Sequence, residues 1–291
     1  MSKLDRTWLL FKESFAVLAA DGEILLFPVL SGISILLLSI GFFVPMYENG
    51  MLKALALRRG TWEHYAVLFA WYYLNFFVGI FFNGALIGCA NIRLSGGNPT
   101  VSDGFRIAFS RVGRIAGWAF IAATVGMVLH GLRERGKGIL NLLVAGLSLM
   151  WTLITYMVVP VLLFEDCGVV GSIHRSEELF EKHWGEQVAG DFGFGLLSFF
   201  LSLPAFAIAF FVWKVDRVAA IIFPAVYLLI LATVTSAVKG VFTVALYRYA
   251  TQGSAPVGFS ADAINDLLGG RKPLSLGESP WDRNAPWDQQ S

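Results

Sequence analysis

Six stretches of this chain are apolar for about twenty residues or close to it, the length a helix needs to cross the hydrocarbon of a bilayer. They run over residues 24–44, 66–90, 114–129, 139–164, 188–213 and 218–246. Pro45 is expected to close the first, and Pro160, near the exit of the fourth, to break its last turn. Pro204 and Pro224 fall inside the fifth and sixth, where neighbouring helices can satisfy the carbonyls they free. Backbone in hydrocarbon has no water to bond, so each stretch must form a helix. Nothing alternates with the period of two that a barrel strand requires. The expected fold class is therefore all-α, a polytopic membrane bundle of six transmembrane helices.

Composition agrees with this and narrows the functions open to the chain. Only 15% of residues are charged, against 56% hydrophobic, where soluble domains carry about a quarter charged. A soluble enzyme and a disordered chain are excluded. The net charge of +1 supplies no field to draw nucleic acid. Cys89 and Cys167, the two cysteines, are too few for a disulfide framework or a cysteine-rich metal site. The first apolar stretch starts too late for an ordinary signal peptide and is expected to be retained.

A second pattern lies between the spans. Leu4, Trp8, Phe11, Phe15 and Leu18 fall on one helical stripe, with Lys3, Asp5, Arg6, Lys12 and Glu13 around it. Val101, Phe105, Ala108 and Val112 repeat the stripe, and Thr100 with Asp103 spells a capping box. Val169, Ile173, Phe180 and Trp184 make a third, beside Arg175, Glu177, Glu178, Glu181 and Lys182. Helices of this kind lie in the headgroup plane. Each precedes an odd-numbered span, so residues 1–252 read as three units of interfacial helix plus hairpin. Residues 253–291 form a polar, Pro/Gly-rich, mostly flexible cytoplasmic tail. The end of span two, Asn91-Ile-Arg-Leu-Ser-Gly-Gly97, is echoed at the end of span six in Tyr247-Arg-Tyr-Ala-Thr-Gln-Gly253.

Orientation follows from the Lys and Arg count in the loops. With the N-terminus inside, thirteen of the 22 fall on the cytoplasmic side and eight outside, leaving Lys239 within span six. Both termini are thus expected in the cytoplasm, in a multi-pass protein of the cell (inner) membrane. All three interfacial helices then form a collar on the cytoplasmic face.

Few residues offer chemistry. His64, His130, His174 and His183 lie apart, none in a His-Glu-x-x-His pair, and no metal or cofactor is expected. Glu165 and Asp166 follow span four at a helix C-terminus, where the macrodipole disfavours negative charge unless a cation is near. Arg175 and Lys239 are the candidate cations, and Ser172 is a candidate cap for the helix carrying Arg175. Glu165, Asp166, Arg175 and Lys239 therefore make a candidate structural or ligand clamp. Asn75 and Asn83, polar residues inside span two, are candidate cavity-lining groups. Gly84 with Gly88 and Gly113 with Gly117 form two GxxxG motifs. These serve close helix packing within the chain, or contact with a protein partner or a second copy.

Several stretches carry a family likeness. They are Pro160-Val-Leu-Leu-Phe-Glu-Asp-Cys-Gly168 with Ser172-Ile-His-Arg-Ser176 and Trp184-Gly185, then Tyr247-Arg-Tyr-Ala-Thr251 with Gly253 and Pro256, and Leu-Phe-Pro-Val-Leu-Ser-Gly at 26–32. Over residues 4–260 the chain resembles an uncharacterised family of prokaryotic six-span membrane proteins, a domain of unknown function. In layout it is also similar to the membrane domain of some glycerophosphodiester phosphodiesterases. The resemblance implies a fold and no activity. The expected function is that of a non-enzymatic integral membrane protein organising lipid or a membrane partner. The alternative is a transporter or channel-like protein for a small or lipidic solute.

Overall fold

In the computed structural model, residues 3–57, 61–135, 138–183, 192–214, 216–253 and 255–259 are described. Every regular element among them is helical. In chain order these are α1 (Lys3–Ala19), a 3-10 turn (Gly22–Leu25), α2 (Leu26–Glu48), α3 (Met51–Leu57), α4 (Trp62–Leu94), α5 (Val101–Ser110), α6 (Val112–Arg135), α7 (Ile139–Ile154), α8 (Val158–Phe164), α9 (Val169–His183), α10 (Phe192–Val212) and α11 (Ala219–Gln252).

Five segments among the described residues are long and apolar enough to cross a membrane: Gly22–Glu48, Trp62–Leu94, Val112–Glu134, Ile139–Phe164 and Ala219–Gln252. The expected fifth span corresponds to α10, whose start precludes comparison at 188–191, outside the described residues. The helices overrun the apolar stretches that seed them, α4 reaching 33 residues and α11 reaching 34. Pro45 does not close its span. It sits inside α2, which continues to Glu48, because a proline costs bonds in the turn before it and leaves the turn after it free to form.

The core lies at one end of the bundle. Phe81 and the stretch from Gly84 to Ala90 on α4 pack against Ala237 to Thr251 on α11, with Val158 to Leu163 on α8 filling the space between. Away from this end the helices present Leu36 and Leu37, Leu142 and Leu143, Phe210 and Phe211, and Ile221 to the outside. Such surface is far more apolar than water permits and suits lipid tails. Two glycines set the closest helix contacts. A Cβ on Gly240 would collide with the Leu86 side chain, and one on Gly104 would meet the Phe27 ring, the Ala85 carbonyl at 2.8 Å and Cys89 Sγ at 2.8 Å.

The three amphipathic segments are helices, and they dock onto this packed end through narrower faces than their stripes. Ser14, Val17 and Leu18 are the buried face of α1, while Trp8 and Phe15 look outward. Gly104 and Ala108 are buried on α5, whose capping box is complete, with Asp103 N–H donating to Thr100 Oγ1 and Thr100 N–H to Asp103 Oδ2. Glu23 accepts the Val101 N–H at 2.9 Å and so ties the 3-10 turn to α5. On α9 the deepest positions are polar, namely Ser172, Arg175 and Ser176 beside Leu179. Val169, Ile173 and Phe180 are only partly buried, and Trp184 lies outside the described residues.

The fourth span explains this inversion. Pro160 does not break its last turn. The helix breaks earlier, between Ile154 and Val158, and Pro160 occupies the first turn of α8, where its missing N–H has no intrahelical acceptor to lose. The break frees the Ile154 carbonyl and the Met157 N–H. The Ser176 hydroxyl donates to the first at 2.5 Å and accepts from the second at 3.0 Å.

Candidate functional site

The α8–α9 connection brings Glu165 and Asp166 to different partners. Glu165 ends α8 in an extended conformation, its side chain turned inward. Its carboxylate lies 3.3 Å from Arg175 Nε and accepts the Tyr247 hydroxyl at 3.0 Å. Arg175 Nη1 continues the chain to Glu178 at 2.8 Å. The three charged side chains are 19, 8 and 12% exposed for Glu165, Arg175 and Glu178. Burial by itself lowers the Arg175 pKa, and the two carboxylates reverse this and raise it above the ordinary arginine value.

Asp166 points the other way and is 86% exposed. Arg114 Nη2 reaches it at 2.6 Å and Arg111 Nη1 at 3.2 Å. Hydrogen bonds from Arg114 and then Arg111 hold its pKa below the usual carboxylate value. Arg114 also donates to the Glu165 carbonyl at 3.1 Å, so the start of α6 grips both acids. Beside them, burial pushes the Cys167 thiol pKa up, and its Sγ lies 3.3 Å from Ser172 Oγ. Ser172 is not a cap. It lies within the first turn of α9 and donates back to the Gly168 carbonyl at 3.1 Å.

Lys239 stands apart from this cluster. It is exposed on α11, eight residues before Tyr247, about 12 Å along the helix axis. It forms no ion pair with a described acid. The clamp is thus Glu165, Arg175 and Glu178 with Tyr247, and separately Asp166 with Arg111 and Arg114. Arg111 and Arg114 lie more than 50 residues from Asp166 in sequence, and only the expectation that all three share one side of the membrane pointed to them.

Next to Glu165 a cleft of about 390 Å³ opens between α4, α8 and α11. Asn91, Phe164, Glu165, Tyr247, Arg248 and Gln252 are among its walls. Arg248 Nη1 donates to Asn91 Oδ1 at 3.0 Å and to Ser95 Oγ at 2.5 Å. The two echoing span ends, 91–97 and 247–253, therefore face one another across this cleft.

A second cleft, about 680 Å³, lies at the far end between α4 and α6. It is lined by His64, Tyr72, His130 and Glu134 among others, with His130 Nε2 3.5 Å from Glu134. Sequence spacing gave no sign that His64 and His130 would share a wall. Asn75 and Asn83 line neither cleft, and Asn75 donates to the Trp71 carbonyl of its own helix at 2.8 Å. Among the described residues no three His, Cys, Asp or Glu side chains gather as metal ligands. Three of the four GxxxG glycines are covered from within the chain, Gly84 by Leu163 and Ile115, Gly88 by Ile107 and Gly117 by Val169, while Gly113 faces open space.

Long helices with apolar flanks and charges gathered at their ends define the class, a polytopic α-helical membrane protein. The chain belongs to DUF6159, a family of unknown function whose model matches residues 63–258. That match spans the clamp and both clefts and leaves α1 and α2 outside it. No curated protein and no solved structure gives a significant match to the chain.

Proposed function

We propose that this is a six-span, non-enzymatic protein of the cell membrane that organises lipid or a membrane partner at its cytoplasmic face. Both termini and helices α1, α5 and α9 lie on that face in this reading. The sixth span is α10, whose 21 residues extend roughly 31 Å, about the thickness of the hydrocarbon. Residues 1–252 form the membrane domain, followed by the cytoplasmic tail.

One observation carries the reading. Both acids of the α8–α9 connection are engaged within the chain, with Glu165 held by Arg175 and Tyr247 and Asp166 held by Arg111 and Arg114. Both carboxylates act as struts. Between the two ends, Lys239 is the one Lys, Arg, Asp, Glu or His on the described spans. A proton- or ion-coupled carrier needs a chain of acids at that depth. The alternative, a carrier or channel-like protein, draws on the outer cleft, which descends α4 from His64 to Tyr72 and stops short of Asn75 and Asn83.

The two readings separate in proteoliposomes. The organising role predicts ion and small-solute flux no faster than in empty vesicles, with phospholipid retained through purification. Saturable solute flux, abolished by substitutions at Asn75 or Asn83, would establish the carrier instead.

A further inference from the structure

We infer that the inner cleft is a binding site for the phosphate group of a membrane phospholipid, held by Arg248. The inference deepens the organising role and rests on it, because it requires the inner span ends to sit at headgroup level.

Arg248 differs from the arginines around Glu165 and Asp166. Arg111, Arg114 and Arg175 each contact a carboxylate. Arg248 has none among the described residues. Its contacts are neutral and all fall on one nitrogen, Nη1, which faces Asn91 Oδ1, the Asn91 carbonyl and Ser95 Oγ. Its Nε is buried without an acceptor. A partly buried guanidinium ordinarily has a counter-charge. Glu165 shares the cleft, but its oxygens are taken by Arg175 and Tyr247.

Arg248 sits four residues before the end of α11 and beside the end of α4, where the macrodipoles favour a cation. That alone accounts for an arginine here. It leaves the Nε–Nη2 edge unused, and this edge carries the two parallel N–H bonds that grip a phosphate bidentately. A turn of the guanidinium away from Ser95 would aim that edge into the cleft. Exposed Gln252 stands at the rim as a second donor. Phe164 on the wall suits the glycerol and upper acyl chain, which favours a lipid over free phosphate.

The test is a melting titration of the full-length protein in non-ionic detergent. Micelles are doped with phosphatidylglycerol, phosphatidylethanolamine or diacylglycerol of the same chains, and inorganic phosphate is titrated separately. Both phospholipids should raise the melting temperature, while diacylglycerol and inorganic phosphate should not. Arg248→Gln should raise the half-saturating lipid fraction about tenfold, the scale of a lost charge-assisted contact. Should that variant not fold, Gln252→Glu, at an exposed position, should do the same by repelling phosphate. Unchanged binding in these variants, or an equal effect of diacylglycerol, overturns the site. An equal, Arg248-dependent effect of inorganic phosphate overturns the lipid assignment. Arg248-dependent phospholipid binding in a protein whose Gly253 proves extracellular would keep the site and remove the cytoplasmic reading.

Discussion

Ser176 on α9 holds the break in the fourth span through Ile154, its hydroxyl 2.5 Å from that carbonyl while also accepting the Met157 N–H. The hydroxyl replaces, across two helices, the intrahelical bonds that the turn at 155–157 gives up. It also fixes α9 against the bundle, which is why a polar face of that helix is the buried one. Ser176→Ala should leave both backbone groups without a partner and lower stability by about 1–3 kcal/mol. Ser110→Ala, at an exposed serine bonded to its own helix, should change melting in detergent much less. Equal shifts would mean the break is held by something else.

Arg175 joins Glu165 at the end of α8 to Glu178 on its own helix. Removing it takes the shared cation from two largely buried carboxylates, and breaking such a pair typically costs about 3–5 kcal/mol. Arg175→Ala should therefore destabilise far more than Arg106→Ala, whose pair with Asp103 is exposed and worth at most about 1 kcal/mol. Melting curves of the two variants against the parent decide this.

Asp166 gives the acid side of the pH profile a defined direction. Its folded pKa lies below the ordinary value of 3.8, so its contribution to stability is fully present above that value. The contribution fades as pH falls through the lowered folded pKa. Asp166→Asn should flatten this part of the acid limb, leaving melting at neutral pH lower and less dependent on pH below 3.8. A variant whose acid limb parallels the parent's would exclude Arg111 and Arg114 as its partners.

Gly104 and Gly113 should respond oppositely to alanine. A methyl at Gly104 meets Phe27, Ala85 and Cys89, whereas Gly113 has nothing within 4 Å. Gly104→Ala should cost about 1–3 kcal/mol through overpacking. Gly113→Ala should be neutral or stabilising by up to about 1 kcal/mol from helix propensity. Thermal melting of the pair tests the close approach of α5 to α2 and α4.

What the sequence disclosed depended on how far apart the interacting residues lie. The capping box of Thr100 and Asp103 was legible because four consecutive residues contain all of it. The spans were legible from their lengths, and the pairing of Glu165 with Arg175 was within reach because one short turn separates them. Pro160 was misplaced because a proline disrupts the turn before it and suits the turn after it, and its position alone does not say which side breaks. Arg111 and Arg114 carried no signal beyond loop charge, and Ser176 looked like any polar residue on an amphipathic helix. Tyr247 and Arg248 fell within a stretch that carried the family likeness, yet only the fold sets them against Glu165 and Asn91. Lys239 was drawn to the acids by its rarity in a span, and its depth on α11 removes it from them.

The central claim, an even number of spans with the packed, charge-paired end in the cytoplasm, is tested most directly by topology reporters fused after Glu134 and after Gly253. The account predicts an extracytoplasmic signal at Glu134 and a cytoplasmic one at Gly253. Signals on the same side, or a reversed pair, would contradict it.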